Sequence, residues 1–165
     1  MLSDHEVLIV HPIAVESHLV RKGMADRKSP KKGKLVDIFE QLVSVPTLLD
    51  HPNLTIDVVL TVEEKVKVED PTMRRRRGGW RTVDRRLREI RGIHRLSAPA
   101  DLDDFVPQDL PLVFTTTDMA SSGVISLEVA QRIAYCMRSL GRFEMVGRSG
   151  RSYQYRWAGP EDLAL

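Results

Sequence analysis

Between Phe114 and Ala158 the chain carries four local signals in a fixed order, and that order restricts the fold more than any bulk property does. One of Thr115, Thr116 or Thr117 can cap a short helix containing Asp118, Met119 and Ala120, because a hydroxyl there accepts from an otherwise unpaired amide. Ser121-Ser122-Gly123 predicts a tight turn. Ser126 then caps a longer helix, with Glu128 supporting its first turn. Val129, Ala130, Ile133, Met137 and Leu140 form one apolar stripe of that helix, and Glu128, Gln131, Arg132, Tyr135 and Arg138 form the opposite face. Gly141 stands where a left-handed C-terminal cap belongs. "RFEMVG" and "SYQYRWA" predict two strands, joined as a hairpin by Arg148-Ser149-Gly150-Arg151.

Helix, turn, helix, hairpin is the order of a winged helix-turn-helix, expected here over residues 110–158. In that fold the second helix enters the major groove and the hairpin lies along a neighbouring phosphate backbone. The hairpin carries Arg142, Arg148, Arg151 and Arg156 against a single Glu144. Gln131, Arg132, Tyr135 and Arg138 are therefore expected to meet base edges, and Arg148, Ser149 and Arg151 to meet phosphates. Winged helices also mediate protein contacts, so a small interaction domain with a solvated basic hairpin is the competing expectation.

The first 97 residues predict an α/β domain. "EVLIVHPIAV" (6–15) reads as a buried strand ending near His11, because Pro12 interrupts it. Residues 21–34 read as a basic loop. Leu35, Ile38, Phe39, Leu42 and Val43 fall at helical spacing, with Pro46 as the stop. Residues 55–69 predict a long strand, alternating from Val62 between valines and charged residues. In "WRTVDRRLREIRGIHRL" (80–96), Trp80, Val83, Leu87 and Ile90 stand three and four apart, which predicts a helix, or a strand then a helix, stopping at Gly92. Residues 98–109 are Pro- and Asp-rich, which marks a linker holding a short helix over 100–105; residues 159–165 form a tail.

Charge is unevenly placed. Net charge is only +2, yet residues 72–96 hold ten arginines against Asp84 and Glu89, while residues 97–109 hold four aspartates and no Lys or Arg. Arg74, Arg75, Arg76 and Arg77 repel one another too strongly to pack inside. They are expected on a surface loop, either as an auxiliary DNA contact or as a solubilising run.

Four stretches, "HPIAVESHLVRKG", "RKSPKKGKLVDIFEQLVSVPTLLDHPNLTIDVVLTVEEKV", "RRRGGWRTVDRRLREI" and "FTTTDMA…AQRIAYCMRSLGRFEMVGRSGRSYQYR", resemble in order the later portion of an uncharacterised prokaryotic family. That family has a restriction-endonuclease-like (Holliday-resolvase-like) fold followed by a winged helix. Its metal-holding acidic residue and Glu-x-Gln or Glu-x-Lys strand lie upstream of the strand ending in His-Pro or Tyr-Pro. The resemblance therefore implies an incomplete nuclease-like scaffold over 1–97 and a winged helix, but carries over no catalytic residue. It implies either a shortened relative without nuclease activity or a separate polypeptide supplying the first half.

Rival chemistries find weaker support. Asp57, Glu63 and Lys65 could serve a nuclease, but Asp57 and Glu63 would stand about 20 Å apart along one strand at ~3.3 Å per residue, too far to share a metal. The five histidines lack metal-ligand spacing, and no Gly-x-x-x-x-Gly-Lys-Ser/Thr loop is present. "RKSPKKGK" can cradle phosphates or stay solvated. Cys136 is the single cysteine, so no intramolecular disulfide and no Cys-rich zinc site can form. The N-terminal apolar run has acidic residues before it and is too short to span a bilayer, so the cytoplasm is the expected location.

The sequence thus predicts an α/β (α+β) chain: a partial nuclease-like α/β domain, then a winged helix. The expected function is non-catalytic DNA binding, with no cofactor, metal or membrane. A homodimer, or a partner completing the sheet, is expected because few strands leave exposed edges. Alternatives are a regulatory subunit docking on a nuclease-like partner, and a metal-dependent nuclease.

Overall fold

The computed structural model describes residues 2–73, 79–121 and 123–158, and its architecture is mixed α+β. Seven strands are present among these residues: β1 (Val7–Arg21), β2 (Arg27–Lys28), β3 (Leu54–Glu69), β4 (Trp80–Leu96), β5 (Phe114–Thr115), β6 (Phe143–Ser149) and β7 (Ser152–Trp157). Three α-helices accompany them: α1 (Phe39–Leu42), α2 (Thr116–Ser121) and α3 (Leu127–Ser139). Short 3₁₀ turns occupy Leu35–Ile38, Leu48–Asp50, Pro71–Met73 and Pro99–Phe105. One sheet has the order β2-β1-β3-β4 and the other β5-β7-β6. The chain divides into two compact units, one of Met1–Ile9, Val36–Asp57 and Arg95–Leu165, the other of Val10–Leu35 and Val58–His94.

In the second unit β1 runs straight through Pro12 rather than ending near His11. The reason lies in pairing. The Ala14 carbonyl accepts from the Gly33 amide, and Pro12, two residues earlier, faces the same side. On that side β2 pairs only with His18 and Leu19, so no ladder needs the amide that Pro12 lacks. Gly33 approaches so closely that an added Cβ would stand 2.6 Å from the Ile13 side chain and 2.9 Å from the Ala14 carbonyl oxygen. The rest of 21–34 is largely without regular structure, as its composition suggests.

β4 departs furthest from expectation. The helical spacing of Trp80, Val83, Leu87 and Ile90 predicts at least some helix, yet residues 80–96 form one strand and Gly92 does not stop it. That apolar stripe covers no core: Val83, Leu87 and Ile90 are all exposed. Pairing with β3 instead decides the backbone. β3 itself follows the sequence closely, and its first half is nearly continuously buried through Val62. Beyond Val62 the alternation produces no buried face, and Val68 is exposed.

In the first unit the predicted helix over 33–46 is a 3₁₀ turn running into one α-turn, α1, with Ile38, Phe39 and Leu42 buried. Residues 98–109 form the predicted short helical piece as a 3₁₀ turn. The Asp101 carboxylate closes its start by accepting from the Ser97 and Ala98 amides at 2.6 and 2.9 Å. Leu102 and Val106 are buried, and Phe105 meets Phe39 edge-to-face at 5.2 Å, so this stretch is packed rather than free.

Residues 114–158 fold close to their local signals. The Thr115 hydroxyl accepts from the Asp118 amide, and the Asp118 carboxylate accepts from the Thr115 amide at 2.7 Å, a reciprocal cap on α2. The Ser126 hydroxyl accepts from the Val129 amide at 3.3 Å and starts α3. At the other end Gly141, at φ 71°, donates to the Arg138 carbonyl while Arg142 donates to that of Met137. This Schellman pair needs the left-handed residue that only glycine adopts cheaply. Ala130, Ile133, Ala134, Cys136 and Met137 of α3 are buried, together with Met119 of α2. Phe114 packs edge-to-face on Phe143 at 5.0 Å, and Phe143 on Trp157 at 5.0 Å. The β6–β7 hairpin is tighter than expected: Ser149 pairs with Ser152, leaving Gly150 (φ 60°) and Arg151 as the turn. The predicted turn at Ser121-Ser122-Gly123 includes Ser122, which lies outside the described residues.

Candidate nucleic-acid interface

The capped start and end of α3 fix which side chains face outward. Positions 131, 135 and 138 lie four and three apart, so Gln131, Tyr135 and Arg138 share one face away from the buried stripe. β7 runs beside them and supplies Ser152, Tyr153 and Tyr155; the turn supplies Arg151 and α2 supplies Thr116. Together these eight residues line a groove of about 350 Å³. Four residues expected from sequence to touch nucleic acid, Gln131, Tyr135, Arg138 and Arg151, thus come together in one concavity.

Arg148 flanks the groove. Its guanidinium stands 4.5 Å from the centre of the Tyr153 ring and donates to the Tyr153 hydroxyl at 2.6 Å. Ser149 is exposed at the hairpin end, beside the turn. Arg132 is placed differently. It lies one position off the groove face and is held by Glu128 at 2.6 Å and Glu40 at 3.5 Å. Arg74, Arg75, Arg76 and Arg77 lie outside the described residues.

The arginines sort by partner. Arg142 is paired with Asp103, Arg156 with Glu144 at 2.5 Å, and Arg132 with two glutamates. Among the described residues, Arg21, Arg27, Arg138, Arg148 and Arg151 have no carboxylate partner; Arg21 lies over the Trp80 ring instead, and of the five Arg138 and Arg151 line the groove while Arg148 flanks it. The arginines of β4 are all occupied: Arg81 by Asp70, Arg85 by Glu63, Arg86 by Asp84, Arg88 by Glu64, Arg91 by Glu89 and Arg95 by Asp57. The strand that looks most basic in the sequence is therefore largely neutralised.

The carboxylates considered for metal chemistry are likewise engaged. Arg95 grips Asp57 through two hydrogen bonds of 2.7 and 2.8 Å, which hold that carboxyl below the usual aspartate range against its burial. Burial opposes ionisation of Glu63, but Lys65 at 2.8 Å and the buried Ser17 hydroxyl at 3.0 Å outweigh it and keep the carboxyl below its ordinary value. Among the described residues no group of three or more His, Cys, Asp or Glu side chains converges as a metal site. Burial pushes the Cys136 thiol up to about 11, so it is a poor nucleophile. Among the described residues no helix is long and apolar enough to cross a membrane.

Thr116, Ser152, Tyr153 and Tyr155 were not singled out from sequence. Their signal is the period of two in "SYQYRW", which puts Tyr153 and Tyr155 on one face of β7. Burial raises the Tyr155 hydroxyl above its usual range, an effect opposed by the charge of Arg138.

Residues 1–97 match the family described as a domain of unknown function, DUF8091. The chain belongs to DUF8091. The match ends at Ser97, just past β4, so every residue of the groove in this DUF8091 chain lies beyond the family domain. The chain is also similar to an uncharacterized protein of Treponema pallidum (strain Nichols), 29% identical over 171 residues, covering 98% of this chain and 66% of the relative. It thus spans just under two thirds of that relative's length. No solved structure matches it.

Proposed function

We propose that residues 110–158 form a winged helix that binds DNA without cutting it, with α3 directed to the major groove and the β6–β7 hairpin to the adjoining phosphates. The observation that carries this reading is the partition of the arginines. Charged side chains with carboxylate partners have little left to offer an anion, whereas Arg138, Arg148 and Arg151 lack such partners among the described residues and share one face with Gln131 and Tyr135. The glycine at φ 60° brings Arg151 to the tip of the hairpin, and Ser149 with the turn amides adds neutral donors. The engagement of Asp57 and Glu63 by basic partners favours the non-catalytic form over a metal-dependent nuclease. A partial nuclease-like scaffold over 1–97 and a cytoplasmic location belong to the same proposal. Duplex binding that weakens as salt rises is its test, and absence of binding at low salt would refute it.

A second reading, association through β4, has its own observation. β4 ends its sheet, and its Leu87 and Ile93 are 62% and 60% exposed although apolar. Val83, Leu87, Ile90 and Ile93 are all exposed along this strand, so pairing with β4 of a second copy would cover apolar side chains as well as complete the edge hydrogen bonds. A homodimer formed in this way should appear by light scattering at micromolar concentration and be weakened by Leu87→Lys. A monomer at that concentration would contradict it.

A further inference from the structure

We infer that the groove between α3 and β7 receives one unpaired nucleotide, its base against the tyrosines and its phosphate toward Arg138 and Arg151. The inference deepens the DNA-binding reading and rests on it. The chain has three tyrosines, and all three line this groove. Tyr135 remains 44% exposed and Tyr153 39%, although each ring is largely apolar. A base within a duplex shows a protein only its edge, because its faces are covered by its neighbours. Aromatic rings lining a concavity meet a base face only when that base has left the stack.

The surrounding chemistry fits a nucleotide rather than an apolar ligand. Gln131 carries both donors and an acceptor for a base edge, Thr116 and Ser152 carry hydroxyls, and Arg138 and Arg151 carry positive charge. The volume of about 350 Å³ falls at the lower end of sites for small ligands. Arg148 braces Tyr153 by lying over its ring at 4.5 Å and bonding its hydroxyl, so the platform is held in place before a ligand arrives. Tyr155, which is buried, is the floor rather than the platform.

The test is fluorescence anisotropy of the full chain with three labelled DNAs of one sequence: a blunt duplex, the same duplex with a single-base bulge, and the duplex with a single-stranded tail. The bulged and tailed forms should bind about tenfold tighter than the blunt form, the scale of one stacked base. Tyr135→Ala and Tyr153→Ala should bring the ratio of bulged or tailed to blunt affinity down to about one, whatever each does to blunt-duplex binding itself, and Tyr135→Phe should keep the ratio of the parent. Both positions are exposed, and circular dichroism of the variants checks that the fold is retained. Equal binding of all three DNAs by the parent chain would overturn this inference alone. So would tyrosine variants that weaken all three equally. Failure of every DNA to bind would remove the DNA-binding reading and the inference with it.

Discussion

Arg148→Glu/Arg151→Glu should weaken duplex binding at least about a hundredfold. Hydrogen bonds to charged groups contribute roughly 1.5–3 kcal/mol each, and two are lost. The variant also turns attraction of the hairpin for phosphate into repulsion. Both side chains are exposed and lack carboxylate partners among the described residues, so the substitution breaks no ion pair; within the chain it loses the exposed Arg148–Tyr153 contact, and the thermal midpoint should fall only slightly. Arg132→Ala is the control. Glu128 and Glu40 already hold Arg132, and its removal should change affinity by less than the hairpin variant does. Electrophoretic mobility shift or anisotropy against one duplex checks both. If Arg132→Ala were the more damaging, the partition of the arginines by their carboxylate partners would not describe how this surface works.

Phe114→Ala should destabilise the C-terminal fold by about 3–5 kcal/mol, the usual cost of emptying a buried aromatic site. Phe114 is nearly inaccessible, packs edge-to-face on Phe143 at 5.0 Å, and pairs across the sheet with Tyr155. The second consequence follows from that register. β5 touches β7 at Phe114 and Thr115, so loosening Phe114 releases the strand that carries Tyr153 and Tyr155 into the groove. Urea unfolding should show the lost stability, and DNA affinity should fall with it although Phe114 touches no ligand. Leu112, which is 89% exposed, provides the comparison: Leu112→Ala should lie within about 0.5 kcal/mol of the parent.

Residues 114–158 were readable because their signals are local. Thr115 and Asp118 cap each other, Ser126 caps its own third residue on, and Gly141 ends the helix that it follows. Each needs only a few neighbours in sequence, and the apolar spacing between Ala130 and Met137 agrees with them. β4 was not readable for the opposite reason. Its spacing of Trp80, Val83, Leu87 and Ile90 satisfies a helix, and nothing within 80–96 announces that β3 will pair with it. Pro12 misled in the same manner, since whether a strand tolerates proline depends on which side lacks a partner.

The candidate interface divides along the same line. Gln131, Tyr135 and Arg138 could be placed on one face from helical period alone. Arg132 could not be excluded from that face, because one of its partners, Glu40, stands 92 positions away. The neutralisation of β4 was hidden for a like reason: Arg95 meets Asp57 across 38 positions, and Arg88 meets Glu64. The density of arginines is greatest over residues 72–96, whereas three of the arginines without a carboxylate partner, Arg138, Arg148 and Arg151, stand at or beside the groove.

The central claim is that carboxylate-free arginines at the groove and hairpin neutralise DNA phosphates. Its most direct measurement is the affinity of the full chain for a short duplex across a series of salt concentrations. With Arg148 and Arg151 on phosphates and Arg138 beside them, log K should fall linearly against log salt with a slope of roughly −2 to −3, at about 0.9 per neutralised phosphate. A slope near zero, or no saturable binding at low salt, would contradict it.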